Sequence, residues 1–275
     1  MRKVSPKDVA MPQTLVLTAE TALALVPGDR VVLATAKAPE YAACLTAPRN
    51  AFPRQAVGTV LTPPTGAPML RILALAQRPG HGDAPATPMA VADCLTPGSL
   101  PAGETAFTSS KTGPAIAWIT LSDKGSQGLR VDTAGPAIAE ACAGLAPCLV
   151  QGHIIPDDPG TLKALLTDLA LTQGFDCIVT TGGTGLAPRD TTPEATLAVI
   201  ERRLPGFETA MLMASLTKTA HAMISRAVAG TLGPAIILNL PGSPKAVREN
   251  LAAVLPALPH ALDKLHGDPT DCATA

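Results

Sequence analysis

The chain has 275 residues, enough for two domains with separate cores. Its 21 Lys and Arg against 22 Asp and Glu leave a formal charge of −1, so it has no basic footprint for nucleic acid or an anionic membrane surface, and any anionic ligand must be bound locally. Hydrophobic residues reach 47% and aromatics only 2%, so the cores must be built from Ala, Val, Leu and Ile, and stacking platforms for single-stranded nucleic acid are scarce.

At the start, Asp8 and Pro12 stand where a secretory signal would carry its apolar core, and no apolar run reaches the roughly 18 residues of a membrane span. A cytoplasmic protein without a membrane or nucleic-acid partner is the expectation. Cys44, Cys94, Cys142, Cys148, Cys177 and Cys272 form no C-x-x-C pair and no zinc-spaced cluster, so each reads as a reduced, buried thiol. Residues 1–78 hold the runs Asp29 to Ala34, Ala56 to Leu61 and Met69 to Ala76, which are rich in Val, Ile and Leu and separated by Pro, Gly and Asn. Such spacing predicts a small β-rich domain, with Pro27 to Arg30 as a turn. Residues 79–114 are dense in Pro and Gly and poor in apolar periodicity, the composition of a linker with one short element near Met89 to Cys94.

From residue 115 to 268 strand and helix patterns alternate, which predicts a three-layer α/β domain: a mainly parallel sheet with helices on both faces. The strands are expected at Ala115 to Leu121, Cys148 to Ile155, Cys177 to Thr181 and Ala235 to Leu240. Helices are expected at Ala134 to Ala143, Thr161 to Thr172, Pro193 to Arg203 and Pro244 to Leu255. Pro256 and Pro259 should then break the chain before a short helix to His266. Residues 269–275 read as a tail.

Four strand ends carry polar motifs. Thr180-Thr181-Gly182-Gly183-Thr184-Gly185 follows a strand, where open α/β sheets bind ligands. Its glycines allow backbone N–H groups to approach an anionic oxygen, and Thr184 adds a hydroxyl. It is not a P-loop, because G-K-[ST] is missing, and Pro188 replaces the third glycine of a dinucleotide fingerprint. Taken alone, the segment is equally a tight turn. Arg189 and Asp190 follow it and precede a helix start at Thr192 and Pro193, which strengthens the functional reading. Asp157 and Asp158 end another strand. One of them suffices to cap the next helix, and Asp157 together with Asp190 at one sheet edge would suit magnesium, which is held by one or two carboxylates and substrate phosphates. Asn239 and Leu240 to Lys245 close the last strand, with Ser243 as N-cap and Pro244 as first helical residue, a second anion cradle. Ser122, Asp123 and Lys124 leave the first strand toward a helix start at Thr133 and Pro136. Ser225 and Arg226 precede another apolar segment. Among the histidines, His221 and His260 lie in apolar surroundings and read as structural.

In order and spacing, SDKGSQG, PDD, TTGGTGLAPRDTTPEAT, LPGF, AMLMASL, ISRAVAG and NLPGSPKAVRENL resemble the molybdopterin adenylyltransferase family, the MogA/MoaB type that includes the gephyrin G domain. The resemblance covers about residues 115 to 268 and does not extend into residues 1–114. It implies a commonly trimeric α/β domain that binds molybdopterin and ATP with Mg²⁺ in molybdenum cofactor biosynthesis, with the molybdenum insertase as a partner. The family's two catalytic and metal-binding carboxylates match Asp157 and Asp190. Its ligand-binding positions match Ser122, Asp123, Gly182, Gly183, Thr184, Gly185, Ser225, Asn239, Gly242 and Ser243. Thr209 and Leu212 stand where many bacterial members place Glu and Arg, and AMLMASL looks like the gephyrin version.

The implied reaction transfers AMP from ATP to the terminal phosphate of molybdopterin and releases pyrophosphate. The substrate phosphate is the nucleophile, so no activated Ser or Cys is required, and no triad is visible. Two rivals share the fold: a non-catalytic molybdopterin-binding module and a CinA-like nucleotide hydrolase. The presence of both Asp157 and Asp190 argues against the first, and the order of ISRAVAG and NLPGSPKAVRENL against the second.

Overall fold

The computed structural model describes residues 13–50, 56–80 and 83–269, and the chain divides into two compact units, Met1–Gly113 and Pro114–Ala275. Asp8, Pro12, Cys272 and nearly all of the expected tail lie outside the described residues.

The first unit is all β. Strands β1 (Gln13–Ala19), β3 (Arg30–Ala34), β4 (Cys44–Thr46), β5 (Val60–Thr62), β6 (Leu70–Arg78), β7 (Thr87–Cys94) and β9 (Gly103–Ser110) close a seven-stranded barrel in the order β1-β4-β3-β7-β6-β5-β9. β2 (Leu23–Leu25) and β8 (Gly98–Leu100) pair separately. Period-two burial explains the strands: Leu15, Leu17 and Ala19 of β1 point into the core, as does Phe107 of β9, alongside Leu33, Leu45, Leu61, Leu70 and Ile72. Closure leaves the barrel without an open edge. On its wall, the Arg71 guanidinium donates to both carboxylate oxygens of Asp93, at 3.3 and 2.8 Å, tying β6 to β7. Pro27 to Arg30 is a turn, as expected, with the Val26 N–H donating to Asp29 Oδ2 at 2.8 Å.

The linker expected over 79–114 is not one. Residues 87–110 carry β7, β8 and β9, and β9 pairs with β1 from Gln13↔Ser109 to Ala19↔Gly103, so the barrel closes through it. Small Ala, Thr and Ser side chains alternate along these strands and give little apolar signal. Pro88 sits near the start of β7, and Pro97 and Pro101 lie outside the strands, places where a sheet tolerates proline.

The second unit runs β10 (Ala115–Leu121), α1 (Asp123–Ser126), α2 (Ala134–Cys142), β11 (Leu149–Ile155), α3 (Pro159–Thr167), β12 (Cys177–Thr181), α4 (Thr192–Leu197), β13 (Arg202–Arg203), α5 (Pro205–Leu216), β14 (Ala229–Leu232), β15 (Ala235–Leu240), α6 (Pro244–Val254) and α7 (Leu258–Leu265). The sheet order is β11-β10-β12-β15-β14-β13. The first four strands are parallel, and β14 and β13 add antiparallel to that edge. β12 and β15 are buried at every residue, which is why their sequences are continuous rather than alternating. Ile138 of α2, Val247, Leu251 and Val254 of α6, and Leu258 and Leu262 of α7 share a core with Ile116, Val179 and Leu238 of the sheet.

Two helices differ from expectation. The one expected over Pro193 to Arg203 stops at Leu197, and Arg202 and Arg203 pair with β14 instead. The one expected over Thr161 to Thr172 begins at Pro159, and after Thr167 it widens into a π-helical turn that ends at Gly174, whose φ of 74° closes it. The break before the final helix falls between Val254 and Leu258, as the prolines require. The described cysteines are free. Burial pushes the Cys142 thiol up to about 11 and raises Cys177 well above its ordinary value, so both are inert core groups.

Trp118, the single tryptophan, lies on β10 directly opposite Gly152 of β11. A Cβ at Gly152 would run into the indole ring, and one at Gly135 of α2 would strike its Nε1 edge. Strand propensity alone favours Val over Gly at position 152. Packing reverses that preference: Gly152→Val is expected to destabilise the second unit by about 1–3 kcal/mol, with an altered Trp118 emission. Denaturant unfolding followed by tryptophan fluorescence measures it, and an unchanged or raised midpoint would contradict the contact.

Candidate functional site

The chain passes from β10 to β11 on one side and then crosses back to β12 on the other, so the strand order reverses between β10 and β12. Such a switch point opens a crevice beyond the carboxyl ends of the two diverging strands. A cleft of about 110 Å³ occupies that place, lined by Thr120, Leu121 and Ser122 from the end of β10, Gly125 from α1, Arg130 to Ala134 before and into α2, Thr181 and Gly182 after β12, and Gly242 after β15.

The loops after β10, β11 and β12 are joined at Asp123. The Asp157 N–H donates to Asp123 Oδ1 at 3.0 Å, and the Asp123 N–H donates back to Asp157 Oδ2 at 3.3 Å. Arg189 forms an ion pair with the other Asp123 oxygen. Ser122 caps the short α1 turn by accepting the Gly125 N–H at 3.0 Å, and its own N–H donates to Ile155 O at 2.9 Å. Burial pushes the Asp157 carboxyl above its ordinary value, and the nearby Asp190 carboxylate pushes it further. The two carboxylates come from different loops, and Asp190 is near enough for its charge to be felt at Asp157. Asp158 turns away from them and caps α3, accepting the Thr161 N–H at 2.6 Å and the Thr161 hydroxyl at 2.7 Å, and those bonds lower its carboxyl.

The glycine loop is held by its own neighbours. Gly182 and Gly183 adopt φ of 103° and 63°, and a Cβ on Gly182 would lie 2.8 Å from Leu121 O. The Thr192 hydroxyl donates to Gly182 O at 2.9 Å, and the Thr181 hydroxyl to Pro241 O at 2.8 Å. At Gly185 a Cβ would come within 2.7 Å of Asp190 Oδ2, which already accepts the Ala187 N–H at 2.9 Å. Arg226 straps the loop from outside. Its N–H donates to Thr184 O at 2.9 Å and its Nε to Gly185 O at 2.8 Å, while its other nitrogens reach Asp190 O and the Glu194 carboxylate.

Several expectations need correcting. Asn239 is 0% exposed, and its Nδ2 donates to the hydroxyls of Thr180 at 2.9 Å and Thr196 at 3.0 Å, fastening β15 to β12 and α4, while its Oδ1 has no hydrogen-bond partner among the described residues. Thr184 is mostly buried, at 5% exposed. Ser243 caps α6 through the Ala246 N–H, as its sequence position requires, and half-buried Ser225 lies beside the Arg226 strap. The two expected anion cradles are not separate, since a Cβ on Gly242 would stand 3.4 Å from Gly182 Cα. Thr133 makes no capping bond. Asp132 starts α2 instead, accepting from the N–H groups of Ala134 and Gly135 at 3.0 and 3.1 Å. Sequence reasoning missed Arg130, Asp132 and the role of Arg226. An Asp two residues before an apolar helix was the available signal for Asp132; nothing local marked the two arginines.

The chain matches the family described as "Probable molybdopterin binding domain" over residues 117–260. It is 40% identical to the molybdopterin adenylyltransferase of Helicobacter pylori over 155 residues, which is 56% of this chain and 88% of that protein. It is also 40% identical to gephyrin of Dictyostelium discoideum over 163 residues, 55% of this chain but only 22% of gephyrin. Among solved structures, the molybdopterin biosynthesis enzyme MoaB of Thermus thermophilus is 47% identical with a TM-score of 0.54, covering 57% of this chain and 99% of its own. A MogA structure is 36% identical with a TM-score of 0.53, covering 55% and 99%. All these likenesses fall on the second unit.

The raised carboxyl of Asp157 has a consequence for stability. A carboxyl held above its unfolded value favours folding while protonated, and that contribution is lost as pH rises through the raised value. Asp157→Asn keeps the acceptor for the Asp123 N–H and removes the charge. With a chelator present, the variant is expected to melt above the wild type at neutral pH, and the two should converge as pH falls below 3.8, the ordinary carboxyl value. Thermal unfolding across pH measures this; a variant that melts lower at neutral pH would overturn the repulsion.

Proposed function

Because the chain belongs to the molybdopterin-binding domain family matched over residues 117–260, we propose that it is a molybdopterin adenylyltransferase acting in molybdenum cofactor biosynthesis. The observation that carries this reading is the placement of Asp157 after β11, and of the glycine loop with Asp190 after β12, at the carboxyl ends of strands parallel to β10, with the Asp190 charge felt at Asp157. In this reading the sheet is the middle of three layers, with α3 and α4 on one face and α2, α5 and α6 on the other.

A terminal phosphate oxygen of molybdopterin attacks the α-phosphorus of ATP. A new P–O bond forms, the bond from that phosphorus to the bridging oxygen breaks, and pyrophosphate leaves with the electron pair. Since the substrate supplies the nucleophile, the protein positions two anions and neutralises charge. Asp157 and Asp190 are the residues that would hold Mg²⁺. Their mutual repulsion and hard oxygen donors suit it, and the described residues contain no cluster of three or more His, Cys, Asp or Glu that would form an all-protein cage. When bound, the ion draws negative charge from the transferring phosphate and the leaving group. Gly182, Gly183 and Gly185 admit phosphate oxygens close to the backbone. Ser122, Asp123 and Gly242 fix the rim, and Arg226 holds Asp190 in place through its carbonyl. The cleft is smaller than the roughly 300–1,000 Å³ of a typical small-molecule pocket, so a pterin and a nucleotide extend along the open sheet edge.

α5 leaves Leu212, Met213 and Leu216 exposed, an apolar face suited to the homotrimer that the resemblance implies, and a molybdenum insertase would take up the adenylylated product. No helix among the described residues is long and apolar enough to cross a membrane.

The protein is expected to release pyrophosphate only when molybdopterin, ATP and Mg²⁺ are all present. Pyrophosphate without molybdopterin would mean nucleotide hydrolysis, and no turnover would mean a binding module. Asp190→Ala should lower turnover about 100- to 1,000-fold, the loss typical of removing one preorganised electrostatic partner, while the protein still unfolds cooperatively. Near-normal turnover at saturating Mg²⁺ would remove Asp190 from the mechanism. A fragment beginning at Pro114 should unfold cooperatively and retain this activity, since every assigned residue lies within it; an inactive soluble fragment would place part of the site in the first unit.

A further inference from the structure

We infer that Arg130 is a binding residue for a substrate phosphate, and that Val131 beside it supplies an apolar rim against which the organic part of that substrate packs. This assignment rests on the adenylylation reading and adds to it a side chain outside the motifs that carry the family resemblance.

Arg130 lines the cleft with Ser122, Gly125, Gly182 and Gly242. Among the described residues no hydrogen bond or ion pair holds its guanidinium. The other two arginines at the strand ends are committed, Arg189 to Asp123 and Arg226 to Glu194 and the glycine loop. Asp132, the carboxylate nearest to Arg130 in sequence, makes no ion pair with it and instead accepts at Oδ1 from the N–H groups of Ala134 and Gly135 and at Oδ2 from the Thr120 hydroxyl at 2.9 Å. The same bonds satisfy the first N–H groups of α2, so the helix end is closed to an incoming anion and the arginine is the donor left over. A guanidinium with its forked donors unpaired, at the mouth of a cleft at the sheet's switch point, matches a phosphate group in charge and geometry.

Its neighbours support a ligand rather than plain solvent. Leu129 and Val131 are 73% and 82% exposed, so two large apolar side chains flank the cation in the open. Isolated exposed apolar residues are ordinary; Val131 in the cleft lining, next to an unpaired arginine, fits a molecule with a phosphate joined to an apolar or heterocyclic body. Both substrates of the proposed reaction have that chemistry, and binding measurements tell them apart.

The test is titration of Mg-ATP and, separately, of molybdopterin into wild type, Arg130→Gln and Arg130→Lys, with unfolding midpoints as a control. Arg130→Gln is expected to weaken one of the two ligands by about tenfold or more, the scale of one charge-assisted hydrogen-bonding contact. The ligand that responds is the one whose phosphate sits on Arg130. Arg130→Lys should recover part of that loss, and midpoints should not move, since no bond in the fold depends on the guanidinium. Titrations of both ligands within about twofold of wild type for Arg130→Gln would overturn the assignment, as would equal losses in the Gln and Lys variants. A wild-type protein that binds these ligands without forming pyrophosphate would instead refute the adenylylation reading, leaving Arg130 to be judged by the titrations.

Discussion

Everything at the proposed site depends on one clasp, the pair of hydrogen bonds exchanged between Asp123 and Asp157. Each residue ends a different strand connection, and each gives its backbone N–H to the other's carboxylate. Charge-assisted bonds of this kind are strong, and here they fix the spacing of two loops that diverge to opposite sides of β10. Arg189 adds the third loop through Asp123.

The geometry works against the fold that holds it. Two carboxylates are drawn together, one of them partly desolvated, and adjacent glycines take left-handed backbone angles to let the chain pass beneath Leu121 O. These features concentrate at the strand ends, while β12 and β15 beneath are buried at every residue. A rigid parallel sheet is what tolerates such a loop. The Arg226 strap and the Asn239 bonds to Thr180 and Thr196 commit polar contacts to holding the loop and the strands beneath it.

The two units solve burial differently. The first closes its sheet on itself, so its core is the barrel interior around Leu17, Leu33, Leu70 and Phe107. The second covers an open sheet with helices and keeps its strand ends free for chemistry. Neither has aromatic bulk to rely on: the lone Trp118 fits only because Gly152 and Gly135 leave space for it.

By itself the sequence determined the alternation of strands and helices after residue 114, the glycine loop at the end of β12, the helix starts at Asp158 and Ser243, and the family resemblance, because each is written in local spacing of apolar, glycine and capping residues. The strands of residues 87–110 were hidden, since alternating Ala, Thr and Ser among prolines resembles linker composition until a partner strand pairs with it. Pro193 to Arg203 looked like one helix from its capping signal, and only pairing with β14 bent its end into a strand. Asn239 and Thr184 looked like ligand groups, and only the tertiary structure could bury them. The same holds for Arg130 and Asp132: whether a charged side chain is paired or left open depends on which atoms other loops bring to it, and that is decided by contacts between residues far apart in the chain.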